Sequence, residues 1–579
     1  MSHSARIILF VLVAGMVPRL YVLFAGQDAL VRTMPDDAFY YFQTARHIAA
    51  GDGSTFDGLH PTNGYHPLWM LALVPFSMIA PDPATFTRLA LTLCILFGLL
   101  SAALLYLLLR RLTPSWWIPP LGAGLYFLNS QAIVSNLNGL ETSLSTLFFV
   151  AALYLTMRAG QERQATRQAM LLGLCLGLLF LARTDNVFYI AMFFLIAFVR
   201  AWKSERSLPG QAGFWTAASR TAARAGATVA VATAVVVPWL AWNVASFGSV
   251  VQSSGFAIPH LLQESYRLEG HSDVEMFQRS VAQFGSFFRS GFFAFLGMPA
   301  YLSVPAAALC VVVLGHTWRN RQGSRDQHDW RSSLEGHSSL RAAIGVVALL
   351  WLGGILLVFT HTFIRWNPRD WYFDQMIALS ALTFCLALIA LNPAETIPRI
   401  LYLARRRVVP GTPEGSLRLP MMRRIVARVG KVAVAILLLV PLLLGSMRLW
   451  NGVYPHQVEF LDAAHWLKAN TTPGEISAGF NSGITGFFSE RPVVNLDGVM
   501  NNAAYIAITK KDLAAFMKQS QVRYYVDFDP QMVDLYSRFM GAANSQVARV
   551  PVAAFERPNI DWYDSVVRVY KLDWREDAQ

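Results

Sequence analysis

The stretch His66-Pro67-Leu68-Trp69-Met70-Leu71-Ala72-Leu73-Val74-Pro75-Phe76-Ser77-Met78-Ile79-Ala80 is apolar enough to suggest a membrane span and too short to be one. Crossing roughly 30 Å of hydrocarbon as α-helix takes about 20 residues, whereas this segment offers about 14 and carries two prolines. It reads as a juxtamembrane helix lying in the interface. The choice matters because counting it as a span would invert the sidedness of every loop that follows.

Outward from this segment, apolar runs long enough to cross a bilayer fall near residues 5–26, 86–109, 116–136, 142–157, 169–183, 186–200, 226–246, 292–315, 342–363, 373–391 and 431–450. The chain has 579 residues, 54% of them hydrophobic and 15% charged, which is the composition of a polytopic membrane protein rather than of one soluble core. The expected fold is all-α with about 11 transmembrane helices.

Charge sidedness supports the choice at 66–80. With a cytoplasmic N-terminus, the inner loops collect Arg110 and Arg111; Arg158, Arg163 and Arg167; Arg200, Lys203, Arg206, Arg220 and Arg224; Arg319, Arg321, Arg325, Arg331 and Arg341; and Arg405, Arg406, Arg407, Arg423, Arg424, Arg428 and Lys431. The outer loops hold few cations and more carboxylates, among them Asp28, Asp36, Asp37, Asp52 and Asp57. The net charge of +12 is therefore a positive-inside bias and does not point to a nucleic-acid partner.

The first segment resembles a signal peptide in having Ala25 and Gly26 after it, but its run is long and contains Pro18 and Arg19, which favours an uncleaved anchor. Cys94, Cys175, Cys310 and Cys385 all lie in apolar segments, and no spacing suggests a disulfide framework or a zinc site. Clusters of Arg, Gly, Ser and Pro near 200–224, 316–341 and 392–424 read as cytoplasmic loops.

After Trp450 the long apolar runs stop. Val458 to Asn470 has helical spacing, and Val522 to Phe528 has the β-branched and aromatic content of a strand. The expected organisation is a transmembrane domain over 1–450, with a first outer loop at 27–85, and an extracytoplasmic α/β domain over 451–579. Asn470-Thr471-Thr472 forms a sequon, a triplet that chance supplies often.

The first outer loop holds the chemistry. Met34-Pro35-Asp36-Asp37-Ala38-Phe39-Tyr40-Tyr41 places two adjacent carboxylates at the start of an amphipathic helix running to Ala50. Such acids cap free backbone amides and complement the helix dipole. Beside a membrane body they can also act as a general base, since an acceptor hydroxyl becomes a competent nucleophile only as its proton leaves.

The run Asp36-Asp37-Ala38-Phe39-Tyr40-Tyr41 through Ala45-Arg46, with Gly51-Asp52-Gly53 and Pro61-Thr62-Asn63-Gly64-Tyr65-His66-Pro67-Leu68-Trp69, resembles the first outer loop of GT-C glycosyltransferases. These include protein O-mannosyltransferases, lipid A aminoarabinose transferases and mycobacterial-type arabinofuranosyltransferases. Gly139-Leu140-Glu141-Thr142, Leu181-Ala182-Arg183-Thr184-Asp185, Pro238-Trp239-Leu240-Ala241-Trp242-Asn243 and Val494-Asn495-Leu496-Asp497-Gly498 are similar in the same sense. Only the first loop is specific.

The resemblance implies an integral membrane enzyme that moves a sugar, with inversion, from a polyprenyl-phosphate donor to an acceptor hydroxyl at the outer face. It places the base at Asp36 or Asp37, with Asp36 preferred. The donor phosphate is expected at Arg365 and Arg369, in the run Arg365-Trp366-Asn367-Pro368-Arg369-Asp370-Trp371-Tyr372, and at Arg183, for which a structural ion pair with Asp185 is the stronger explanation. Glu141, His66, Tyr65 and Tyr372 are expected around the cavity or the acceptor.

His60 and His66 lack the neighbours of a metal site, so no metal is expected, no cofactor is required, and a divalent cation is not predicted. Expected partners are the lipid donor, a glycan, lipid or protein acceptor, and membrane lipids, in a bacterial inner membrane with the C-terminal domain periplasmic. The region around Asp52 and Asp57 departs from the family pattern, so neither sugar nor acceptor carries over. The alternative is a lipid or solute transporter of the same topology, for which intramembrane charges and inverted repeats would be the signature.

Overall fold

The computed structural model describes residues 3–80, 82–158, 165–206, 214–290, 300–320, 330–392, 415–557 and 566–575. Arg163, Arg321, Arg325, Arg405, Arg406 and Arg407 and the start of the expected 292–315 span lie outside the described residues.

Among the described residues, seven helices are long and apolar enough to cross a membrane: His3–Phe24, Pro83–Leu112, Ala165–Ala182, Thr184–Lys203, Ala218–Phe247, Leu340–Ile364 and Arg424–Asn451. Shorter apolar helices are Pro67–Ile79, Thr142–Arg158, Val304–Arg319 and Gln375–Leu391. Apart from Pro67–Ile79, each coincides with an expected span, and the protein is an integral membrane protein with a helical body.

The elements in chain order begin with α1 (His3–Phe24), α2 (Gln27–Thr33), α3 (Asp36–Ala50), α4 (Pro67–Ile79) and α5 (Pro83–Leu112). Pro67 sits at the first turn of α4, where a missing N–H costs nothing. Trp69, Met70 and Leu73 are buried against the protein while Leu71, Met78 and Ile79 are exposed, the one-sided burial of an interfacial helix. Helix α3 ends at Gly51, whose φ of 90° provides the left-handed cap that accepts no side chain cheaply.

The expected span at 116–136 is instead two helices, α6 (Ile118–Phe127) and α7 (Ser130–Ser135). The break has a local cause: the Asn129 side chain accepts from the backbone N–H of Gln131 at 2.9 Å and of Ala132 at 3.4 Å, starting a new helix. Then follow α8 (Thr142–Arg158), α9 (Ala165–Ala182), α10 (Val187–Arg206), α11 (Phe214–Phe247), α12 (Ala257–Leu268), α13 (Asp273–Ser290), α14 (Ala300–Asn320), α15 (Trp330–Phe359), α16 (Gln375–Leu391) and α17 (Gly415–Asn451). Helices α15 and α17 begin well before the expected 342 and 431, so helix replaces part of the expected inner loops.

Arg19, which the sequence marks as an oddity within α1, is fully buried. Its guanidinium donates to Gly15 O at 2.7 Å, Phe127 O at 3.0 Å and Asn136 Oδ1 at 2.7 Å, and stacks 3.9 Å over the Phe127 ring. The carbonyl at the end of α6 is thereby satisfied, and α1 is tied to the broken α6–α7 pair.

Beyond α17 come α18 (Gln457–Asn470), β1 (Ile476–Gly479), α19 (Gly483–Ser489), β2 (Val493–Asn495), α20 (Asn502–Lys510), α21 (Leu513–Gln519), β3 (Val522–Phe528), β4 (Val547–Glu556) and β5 (Val566–Trp574). The five strands form one sheet in the order β2-β1-β3-β5-β4. Strands β2, β1 and β3 are parallel; β5 runs antiparallel to β3, with Tyr525 opposite Tyr570, and β4 antiparallel to β5. The short helix α19 packs onto α3, so the sheet domain rests on the first loop, with Phe487 against Phe39, Phe42 and Phe86.

Candidate active site

The adjacent aspartates of α3 face different things. One oxygen of Asp36 accepts from the Gly483 N–H at 2.9 Å and the other from the Ile484 N–H at 2.8 Å, so this carboxyl caps α19 of the sheet domain. Asp37, about 100° further round the helix, opens into a cavity lined also by Tyr40, Tyr41, His66, Glu141, Arg183 and Asp185. Gln252, Arg365, Tyr372 and Met500 close the other side. The cavity holds about 80 Å³, room for a few water molecules, so admitting a sugar phosphate requires its walls to part.

Of the residues singled out from sequence, Asp37, His66, Glu141, Arg183, Arg365 and Tyr372 are thus together at one cavity, and Asp36, Tyr65 and Arg369 stand outside its lining. The Tyr65 hydroxyl lies 2.7 Å from Ser54 Oγ, within the loop. Arg369 lies with its guanidinium 5.9 Å from the Trp371 ring and acts on Asp37 through space.

Burial raises the Asp37 carboxyl above its ordinary range, although its surface opens to the cavity, because protein encloses the cavity itself; Arg369 pulls it down and Glu141 pushes it up. Burial likewise pushes Asp36 up to about 7 against the two N–H donors, with Asp37 adding to the rise. Asp497, reached from the sheet domain, is pushed up to about 8 by burial, with Asp37 and Asp36 contributing. Three acids that cannot all ionise freely meet where the loop touches the domain.

The cavity floor is a buried ion network. Arg183 Nη1 donates to Glu141 Oε1 at 2.6 Å, and its Nε and Nη2 donate to the two oxygens of Asp185 at 3.0 and 2.6 Å. His361 Nε2 lies 3.1 Å from Asp185 Oδ2, and the guanidinium sits 4.6 Å over the Tyr372 ring. This bidentate pairing leaves Arg183 engaged by two carboxylates. Burial lowers the His66 imidazole to about 4, so it is neutral, 3.8 Å from Glu141.

Three buried polar atoms here have no hydrogen-bond partner among the described residues: Glu141 Oε2, Gln252 Oε1 and Arg365 Nε. Two are acceptors and one a cationic donor. Arg365 is otherwise held by a hydrogen bond to Ser254 O at 3.3 Å. Among the described residues, no group of three His, Cys, Asp or Glu is placed to hold a metal.

The motifs that are distant in sequence converge. Asn63 donates to Asn243 Oδ1 at 3.1 Å and accepts from Ser253 N at 3.2 Å and Asn502 Nδ2 at 3.3 Å, joining the loop to the end of α11 and to the sheet domain. Tyr40 donates to Phe480 O at 3.1 Å and accepts from Asn495 Nδ2 at 3.2 Å, while Asn495 Oδ1 accepts from the N–H of Met500 at 3.1 Å, fixing the turn that walls the cavity. Asp185, His361, Gln252 and Met500 were not named as site residues from sequence. For Asp185 the adjacent Arg183 was a signal, whereas His361 lies at the end of an apolar span with nothing local to mark it.

Gly64 is where the loop meets the domain backbone: a Cβ there would stand 2.0 Å from Val499 O and 2.9 Å from Met500 Sδ. Carbonyl oxygen on an anchored turn cannot yield as a flexible side chain does. Gly64→Ala is therefore expected to displace the sheet domain, seen as faster proteolysis within 451–579; unchanged protease resistance would contradict this packing.

The model of a family described as a domain of unknown function (DUF8728) matches residues 448–570. Among curated proteins none matches the chain. ArnT from Cupriavidus metallidurans, bound to undecaprenyl phosphate, is similar at a TM-score of 0.54 and 14% identity, over 98% of this chain and 98% of that one. The archaeal oligosaccharyltransferase AglB from Archaeoglobus fulgidus, in complex with an inhibitory peptide and a dolichol-phosphate, is similar at a TM-score of 0.52 and 13% identity, over 98% of this chain and 76% of that one. From its first helix to its terminal sheet, the chain has the GT-C glycosyltransferase fold.

Proposed function

We propose that the protein is a membrane glycosyltransferase that moves a sugar from a polyprenyl-phosphate donor to an acceptor hydroxyl at the outer face, with inversion and with Asp37 as general base. The observation that carries this reading is the division of labour on α3: Asp36 spends both oxygens on Gly483 and Ile484, while Asp37 opens to the cavity that also holds Arg365. The lipid phosphates bound by ArnT and AglB, which share the fold, support a donor of that class.

In this reading the acceptor hydroxyl gives its proton to an Asp37 carboxylate oxygen as its own oxygen attacks the anomeric carbon. The bond from that carbon to the donor phosphate breaks on the opposite face. Charge growing on the leaving phosphate meets Arg365, whose Nε has no partner among the described residues, with Arg369 acting from outside the lining. Glu141 Oε2 and Gln252 Oε1 are free to accept from sugar hydroxyls. Arg183 acts by holding Glu141 and Asp185 in place, a positioning role rather than the phosphate contact expected from sequence. The outward placement of this face rests on the distribution of arginines between the two ends of the spans.

Purified protein given a panel of polyprenyl-phosphate sugars tests the reading. Transfer of one sugar that Asp37→Asn abolishes supports it, and movement of lipid without any transfer would overturn it in favour of a transporter. The pH profile supplies a second test. The base works ionised, and its carboxyl is raised by burial, so kcat/KM is expected to climb with pH along an acid limb lying above the ~3.9 of an unperturbed aspartate. An acid limb unmoved in Asp37→Asn would exclude this residue as the base.

A further inference from the structure

Arg365, the cation that opens on the Asp37 cavity, occupies a turn that its own sequence does not favour. Helix α15 ends in a turn of π-helix, Thr360–Ile364, and the Arg365 N–H donates to Thr360 O at 2.9 Å, closing it. The next residue, Trp366, has a φ of 56°. Among the described residues, the other non-glycines with positive φ are Asn392, Glu490, Lys511 and Gln521, all polar. A bulky aromatic in the left-handed region persists only where its surroundings hold it there.

One outer segment, Gln252 to Arg279, does the holding. Gln263 Nε2 of α12 donates to Ile364 O at 2.6 Å, engaging the last carbonyl of the π-turn. Ser254 O accepts from Arg365 Nη2 at 3.3 Å. The Trp366 ring, 5% exposed, meets Tyr266 edge-on with 5.3 Å between centroids, and the Arg279 guanidinium of α13 lies 5.4 Å from its centre. Three successive residues, 364 to 366, are thus gripped by this segment, which itself lines the cavity through Gln252, Ser254 and Gly255. Its α12 is in turn fastened to the sheet domain: Leu261 is buried with Val494 and Ile508, and Glu264 pairs with Lys511 at 3.2 Å.

We propose that Gln263 and Trp366 are positioning residues for the donor phosphate: they fix the backbone on either side of Arg365, so that its guanidinium is already aimed when the lipid arrives. The inference rests on the reading of Arg365 as the cation that meets that phosphate. An arginine side chain is long and flexible, and confining it before binding removes an ordering cost that the ligand would otherwise bear. The grip is made by contacts that touch no ligand, so its loss weakens recognition of the phosphate and leaves recognition of the prenyl tail unchanged.

The test is binding of undecaprenyl phosphate, and of the uncharged alcohol undecaprenol, to the purified full chain in detergent, read by native mass spectrometry. The parent protein is expected to prefer the phosphate, and Arg365→Ala to lose about tenfold in affinity for it. Gln263→Ala and Trp366→Ala are each expected to lose about three- to tenfold, Trp366→Phe to recover most of the loss by returning a ring to Tyr266 and Arg279, and undecaprenol binding to stay within about twofold throughout. In the Arg365→Ala background the same substitutions are expected to cost nothing further, a non-additivity that a merely structural role would not produce. Gln263→Ala removes one exposed hydrogen bond and serves if Trp366→Ala does not fold. Full additivity with Arg365→Ala, or equal losses for phosphate and alcohol, would overturn the positioning role while leaving Arg365 as the phosphate contact. A parent protein indifferent to the phosphate would instead overturn the reading of Arg365, and the positioning role with it.

Discussion

Asparagine at position 37 is expected to lower kcat/KM for sugar transfer by about 10²- to 10⁴-fold, the ordinary contribution of a general base, or about 3 to 5 kcal/mol of transition-state stabilisation. The amide has nearly the shape of the carboxylate and cannot take the acceptor's proton. Fold and domain docking are expected to survive, since the Asp37 carboxylate opens into the cavity while the hydrogen bonds that dock α19 are made by Asp36. Asp36→Asn should behave differently. Its single carbonyl oxygen satisfies one of the two N–H groups, and its NH₂ confronts the other as donor against donor. The loss falls on docking of α19, about 1 to 3 kcal/mol for a buried donor left unmade, visible as protease sensitivity with a smaller loss of turnover. If Asp36→Asn were folded, docked and inactive while Asp37→Asn kept most of its turnover, the roles assigned here would be reversed.

Replacing Arg183 by methionine is expected to be among the most damaging changes to stability. It leaves the Glu141 and Asp185 carboxylates buried and close together without the cation that both contact at 2.6 Å. Breaking a buried pair from one side costs about 3 to 5 kcal/mol, because the abandoned charge is not rehydrated. Removing the charges together should restore much of the loss, so Glu141→Gln/Arg183→Met/Asp185→Asn is expected to unfold at higher temperature in detergent than Arg183→Met alone. A single variant as heat-stable as the parent would show the network to be solvated and the buried geometry to be wrong.

Much of this arrangement could be read before any coordinates. Length, two prolines and the sidedness of the basic loops separated 66–80 from the spans, and the strand Val522–Phe528 lies where β-branched and aromatic content places it. The break at Asn129 was missed because apolar content measures what lipid tolerates, whereas the break is made by one side chain competing for backbone amides. The choice between Asp36 and Asp37 was not legible. Both sit on one turn, and which faces the cavity depends on where a helix some 450 residues further along presents its amides. His361 was invisible for a similar reason: its partner Asp185 is 176 positions away. Long-range pairing, not local pattern, decides such residues.

The contact of Gly64 with Val499 and of Asp36 with α19 makes the terminal sheet a poor candidate for exchange between relatives. A chimera carrying a foreign sheet would inherit neither the turn that faces position 64 nor the amides that meet position 36, and it would leave the cavity missing one wall. Grafts that transplant the 34–69 segment along with its sheet keep the two halves matched, which makes the pair, rather than either piece, the unit that evolution or an engineer can move.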